Sequence, residues 1–188
     1  MDTAIAIDAI DEAKPWMVVV HGMSQDHRIF SEQVAAFRDT HRILMIDLPG
    51  HGLSACVDGP FGHLEFASHV AAAMVDHHVS SATYWGTHTG ATVGLLLAAT
   101  RPELIATLVL EGPLIPGANP PVVTHLITRA QARLAQDGLR AALEDWWSNS
   151  CWFDLMRAHP EECRADAHRA IVMDFGGAPW RDNATPAQ

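Results

Sequence analysis

Short apolar runs alternate with amphipathic stretches from residue 16 to about residue 110, and beyond that the alternation stops. Residues 17–20, Met17-Val18-Val19-Val20, form an unbroken apolar run, as expected of a parallel strand buried on both faces. Residues 42–46 and 105–110 read the same way. In 29–37 the apolar residues Ile29, Phe30, Val34 and Phe37 recur at helical spacing, which predicts a helix crossing back between two strands. A turn-rich loop follows over 48–60, then a helix over 62–79 with Leu64, Phe66, Val70 and Met74 as its apolar contacts. His77 and His78 sit at the carbonyl pole of that helix and read as structural. Residues 3–10 offer a short first strand at a sheet edge, turning at 11–15.

From residue 114 the pattern is helical. Pro120-Pro121 can open a helix that runs to residue 136, Gly138 breaks it, 139–148 makes a second and 160–175 a third. Trp146, Trp147, Trp152 and Trp180 lie in this part. The expected fold is therefore α/β, with a mostly parallel sheet flanked by helices, and open sheets of this kind place their sites at the carboxyl ends of the strands.

One stretch organises the chain: Thr83-Tyr84-Trp85-Gly86-Thr87-His88-Thr89-Gly90-Ala91-Thr92. It reads as a buried strand breaking sharply into a helix over 91–100, with Gly86 and Gly90 allowing a turn so tight that the middle residue is thrust out above the sheet. That is a nucleophile elbow. Two further motifs precede it. Met17-Val18-Val19-Val20-His21-Gly22-Met23 is a strand with a His-Gly turn, and Leu44-Met45-Ile46-Asp47-Leu48-Pro49-Gly50-His51-Gly52-Leu53-Ser54 is a strand with an Asp-x-Pro-Gly-x-Gly-x-Ser loop.

In that order the three motifs resemble the α/β-hydrolase superfamily, over about residues 16–113. The resemblance implies a hydrolase core over 1–113, a helical lid over 114–182 that shapes the substrate pocket, and a frayed tail at 183–188. It also implies an oxyanion hole built from the backbone amides of Met23 and Thr89. The chain departs from the family in carrying His88 where Ser, or less often Asp or Cys, stands. Nor does any stretch match the two later strands that bear the family's acid and histidine. The expected fold is thus a truncated α/β-hydrolase fold, with the strand at 105–110 left as an uncovered sheet edge that invites a second copy.

His88 is the leading catalytic candidate, as a base or an imidazole nucleophile; the alternative is a polar residue in a pocket that binds without reacting. Glu111, at the end of the strand beside the elbow, can hydrogen-bond His88 and hold its tautomer, or be an ordinary strand-end carboxylate. His21, Ser24 and Asp26 are candidate pocket residues, His21 more simply a turn histidine and Asp26 a second choice of acid. Asp47 can brace the loop at 49–52. Thr87 and Thr89 flank His88, but an elbow aims them away from the pocket. Trp85 reads as core.

Composition narrows the partners. The 188 residues suit one core, and no apolar run reaches the roughly 20 residues of a membrane span. Twelve Lys and Arg against 22 Asp and Glu give a formal charge of −10, which repels nucleic acid and anionic lipid. The N-terminus lacks the basic-then-apolar order of a secretory signal, so the cytoplasm is expected. Cys56, Cys151 and Cys163 suggest reduced, partly buried thiols, and the 12 histidines show no metal-ligand spacing. No cofactor or metal is expected, and the partner is a small-molecule substrate or ligand. Three readings stand: a hydrolase of small apolar esters or lactones using His88, a non-catalytic ligand-binding protein, or part of a longer hydrolase.

Overall fold

The computed structural model describes residues 4–7, 11–115, 117–118 and 120–181. The ends of the expected first strand, at residues 3 and 8–10, and the tail at 183–188 lie outside the described residues. Five strands make one sheet in the order β1-β3-β2-β4-β5: β1 Ala4–Ile7, β2 Trp16–Val20, β3 Arg42–Ile46, β4 Ala82–Thr87 and β5 Ile105–Glu111. β2, β3, β4 and β5 run parallel, while β1 lies antiparallel on β3 at one edge and β5 forms the other. All five residues of β2 are buried, as its apolar run requires of a central strand, whereas β5, expected to be buried in the same way, has only partly buried and exposed positions because it lies at the edge of the sheet.

The two-residue period sends the side chains of β2 to two separate cores. Val18 and Val20 join Leu44, Ile46 and Tyr84 under α2 (His63–Asp76) and α3 (Thr89–Thr100). Met17 and Val19 face the other way, with Ile43, Met45 and Phe30, under α1 (Ser31–Phe37). The first turn of the helix expected at 29–37 is a 3-10 turn, His27–Phe30, capped by the Asp26 side chain, which accepts from the Arg28 amide at 3.0 Å. α2 stops before His77 and His78, because His78 turns into the left-handed region at φ 57°.

The turn between β4 and α3 is fixed by backbone contact. A Cβ at Gly86 would overlap the Gly90 carbonyl, and one at Gly90 would overlap the carbonyl oxygen of Val20. In that space the Gly90 amide donates to the His21 carbonyl at 3.0 Å, and the Tyr84 hydroxyl donates to the Gly90 carbonyl at 2.7 Å. The helix therefore starts against the end of β2, two residues earlier than the expected 91–100.

The helices that follow have their own core. α4 (Pro121–Asn149) comprises two helical stretches meeting at Gly138, whose φ of 82° and ψ of 173° are not helical, as the glycine predicts. The helix expected over 160–175 is shorter. It is α6 (Ala165–Met173), because Arg164 is left-handed at φ 50°, and a separate α5 (Asp154–Ala158) and α7 (Ala178–Arg181) flank it. Trp146, Trp147, Phe153, Val172, Phe175 and Trp180 form this cluster, and Met23 packs against both it and the sheet core. The cysteines form no disulfide; Cys163 is partly buried, but Cys56 and Cys151 are exposed rather than partly buried. Among the described residues no helix is long and apolar enough to cross a membrane.

Beneath the strand ends lies a buried polar network. Asp47 is fully buried and accepts from the His27 amide (2.6 Å), the His27 ring (2.8 Å) and the Leu53 amide (2.8 Å), so it braces the loop as expected. Burial pushes its carboxyl up, but the His27 hydrogen bond and the nearby imidazoles outweigh that and leave it below the ordinary value. His51 donates from Nδ1 to the Pro49 carbonyl at 3.0 Å and accepts at Nε2 from the Ser24 amide at 3.2 Å, which identifies a neutral ring. Phe175 stacks on it at 4.7 Å.

Two outcomes follow from these contacts. Gly90→Ala should destabilise the fold by at least ~2 kcal/mol in urea unfolding, because backbone rather than a flexible side chain must move. Burial, with His21, depresses the His51 pKa from 6.5 to about 3. Between those values the unfolded chain binds a proton that the folded chain does not. Stability present above pH 6.5 is therefore lost as pH falls, on the order of 5 kcal/mol by pH 3 from this group alone. Urea unfolding at pH 7.5 and 4.5 should show that loss, and His51→Gln should flatten it.

Candidate functional site

His88 stands between β4 and α3 with φ 48° and ψ −108°, a left-handed backbone that a non-glycine residue rarely adopts. Its amide donates to the Glu111 carbonyl at 2.7 Å, tying the turn to the end of β5. Glycines on two sides make room for its side chain: a Cβ on Gly22 would lie 3.1 Å from His88 Cβ, and one on Gly112 would lie 3.2 Å from Nδ1. The Trp152 ring lies 5.8 Å away at 34°. Burial lowers the His88 pKa and the Glu111 carboxylate partly offsets this, so the imidazole is neutral at pH 7 and available as a base.

The expected side-chain bond between Glu111 and His88 is absent. Glu111 Oε1 instead accepts from Trp85 Nε1 at 2.7 Å, and Trp85 is a half-buried ring beside Phe37 rather than a wholly buried core residue. The reason is the register of β4 and β5, in which Thr87 pairs with Glu111 and Trp85 with Val109, so that the indole and the carboxylate, two residues apart along the strands, share one face. Glu111 acts on His88 through its charge.

Thr89 is the first residue of α3, and its amide is one of the four that a helix leaves without an internal acceptor. Met23 follows the Gly22 turn, and among the described residues neither its amide nor that of Thr89 is given to a protein acceptor. Thr87 lines the same cavity as His88, contrary to the expected outward aim, and its buried hydroxyl has no partner among the described residues.

The three candidate pocket residues lie under the site and do not line it. His21 is fully buried: Nδ1 donates to the Gly22 carbonyl at 2.7 Å and Nε2 accepts from the Leu48 amide at 3.0 Å. Desolvation holds its pKa below the usual value despite Asp47 nearby. Ser24 is also fully buried, with φ 62°; its hydroxyl donates to the Met23 carbonyl (2.6 Å) and accepts from Trp146 Nε1 (2.8 Å). Asp26 is held by Arg28, which donates to it from Nε and Nη2 at 2.6–3.1 Å. His21 and Ser24 thus shape the Gly22-Met23 backbone.

A cavity of about 610 Å³ opens above His88. Its wall comes from the 3-10 turn and α1, through Gln25, Arg28 and Gln33, and from α6 and the turn before it, through Cys163, Arg164 and His168. None of these six was a sequence candidate, because nothing local marks them; α6 meets the 3-10 turn only through the tertiary fold. A second groove of about 540 Å³ between α2 and α3 is lined by Leu64, Ala71, Val75 and Leu96 and contains no imidazole. Among the described residues, no group of three or more His, Cys, Asp or Glu converges as metal ligands would.

Comparison with known proteins agrees with this architecture. The curated 2-succinyl-6-hydroxy-2,4-cyclohexadiene-1-carboxylate synthase of Escherichia coli O1:K1 is 28% identical over 144 residues, which is 75% of this chain and 56% of that protein. The chain therefore spans little more than half the length of such relatives. A hydrolase from Pseudomonas aeruginosa PA01 superposes with a TM-score of 0.78 at 21% identity, covering 95% of this chain and 65% of the other. The enol-lactonase from Burkholderia xenovorans LB400 gives 0.78 at 20%, covering 94% and 66%. The family description "alpha/beta hydrolase fold" matches residues 15–162, taking in the four parallel strands, the His88 turn and the first lengths of the helical part. The chain belongs to the α/β-hydrolase fold family.

Proposed function

We propose that this chain is a hydrolase of small, largely apolar carbonyl compounds, esters or lactones, in which His88 takes the place of the family's usual nucleophile and acts as a general base. The observation that carries the reading is the His88 imidazole, raised on a strained strand-to-helix turn beside a 610 Å³ cavity and the first-turn amide of α3. His88 takes a proton from water as the water oxygen attacks the carbonyl carbon. The amides of Met23 and Thr89 form the oxyanion hole that steadies the tetrahedral oxygen. When the intermediate collapses, the bond to the leaving oxygen breaks and the imidazolium returns the proton to it. The helices after residue 120 act as a lid over the cavity, and Glu111 supports the imidazolium by charge. The structural neighbour named as an enol-lactonase supports the lactone part of this substrate class.

A second reading is a protein of this fold that binds such compounds without turning them over. It is favoured by the Glu111 carboxylate, which accepts from Trp85 and so leaves the His88 ring without an orienting acceptor among the described residues.

Two measurements separate the readings. Turnover of short-chain chromogenic esters and lactones should be lost at least ~100-fold in His88→Ala, given what general bases typically contribute, while circular dichroism and urea unfolding remain those of a folded chain. Equal turnover by both proteins overturns the base mechanism, and saturable binding of these compounds with no turnover by either selects the binding reading. The pH profile tests Glu111. Because burial depresses the His88 pKa and Glu111 offsets this, activity should rise with pH through a limb below 6.5. Glu111→Gln should move that limb to lower pH. A limb that stays in place removes Glu111 from the site.

A further inference from the structure

The cavity above His88 is richer in acid than its two arginines suggest. Arg28 and Arg164 both reach its wall, and both are already engaged. Arg28 grips the nearly buried Asp26 through Nε and Nη2, and Nη2 also donates to Asp174 at 2.9 Å. Removing Arg28 from Asp26 would strand a buried carboxylate, so this guanidinium is not available to a ligand. Arg164 donates to Glu32 and, at 3.2 Å, to the Ser31 hydroxyl. That pair is exposed and weak, yet a ligand carboxylate can take Arg164 only by displacing another carboxylate.

The wall carries further acids. Glu32, Glu111 and Glu162 all line the cavity. Glu111 accepts from the indole of Trp85, which brings no compensating charge, and Glu162 lies 3.4 Å from His159 Nδ1. Along the wall two guanidinium groups stand against three carboxylates, Glu32, Glu111 and Glu162, and Arg28 is balanced further by Asp26 and Asp174 behind it. The wall is left with a net negative charge. The apolar part of the wall, from Ile29, Phe30, Met156 and Ile171, supplies contact area with no preference for charge.

We infer that the site selects uncharged carbonyl compounds and turns away those that carry a carboxylate, through this excess of acid around the cavity. The inference rests on the proposed site at His88 and names the charge class of its ligand. One net charge acting through largely aqueous screening corresponds to roughly threefold discrimination against one carboxylate. Because the acids are mostly exposed, the discrimination depends on salt.

Matched amides and carboxylates, which are not turned over, test it by calorimetry at pH 8. Phenylacetamide should bind roughly threefold more tightly than phenylacetate, and hexanamide more tightly than hexanoate, at low ionic strength. The gap should narrow in concentrated salt, and Glu32→Gln, which releases Arg164 and removes one negative charge, should raise carboxylate affinity relative to that of the amide. Carboxylates that bind as tightly as amides overturn the inference, as does the lack of saturable amide binding. A gap unaltered by salt or by Glu32→Gln assigns the preference to carboxylate desolvation and overturns it too. The same order should hold in His88→Ala. Failure of the catalytic reading would leave this binding preference intact, and failure of the preference would leave His88 turnover intact.

Discussion

The contact between the Gly90 backbone and the end of β2 is the constraint on which the rest of the molecule depends. Nothing larger than hydrogen fits between Gly90 and the Val20 carbonyl oxygen, so α3 must begin where the central strand stops. That forces the intervening residue into a left-handed conformation and sets His88 above the sheet. Strain at one residue costs about 1–3 kcal/mol. It is offset by the Gly90 and Tyr84 hydrogen bonds and by the apolar cluster of Val18, Val20, Tyr84, Val93 and Leu97 beneath the turn.

A second layer of order comes from polar groups that the sequence displays as loop residues. Asp47, His21, His51 and Ser24 are nearly or fully buried, and each is satisfied mainly by backbone. Burying such groups is tolerable only when their hydrogen bonds are made. They accordingly hold the two loops after β2 and β3 in one arrangement. The helical part joins the same layer: Trp146 donates to Ser24, Phe175 stacks on His51, and Asp174 accepts from Arg28. The floor of the cavity and its roof are therefore fastened through shared side chains.

The fold was legible because its signals are local. The Val18-Val19-Val20 run, the helical spacing at 29–37 and the paired glycines around His88 each fix an element from a handful of neighbouring residues, and their order reads out the sheet. Gly138 was legible for the same reason. The site was legible only at its centre. His88 stood out by its place between the glycines, whereas Glu111 was assigned to it on proximity along adjacent strands, and the register gives its carboxylate to Trp85 instead. Ser24 and Asp26 are polar loop residues in sequence, and nothing in their neighbours signals that Trp146, 122 positions on, seals one and that Arg28 occupies the other. The opposite wall, from Cys163 to Ile171, belongs to a helix whose relation to the sheet is decided by packing alone. Helix-period patterns say which face of such a helix is buried, and not what it faces.

The two buried imidazoles beneath the site have a consequence for how protons travel. In His21 one ring nitrogen gives its hydrogen to a carbonyl and the other receives one from an amide, and His51 is held in the same way. Neither ring can pass a proton onward without breaking a backbone hydrogen bond. The pair is an electrical insulator placed under His88 and no part of a proton wire. His88 itself is only partly buried and lines the cavity, so it exchanges charge on the cavity side of the turn and not through the rings below it.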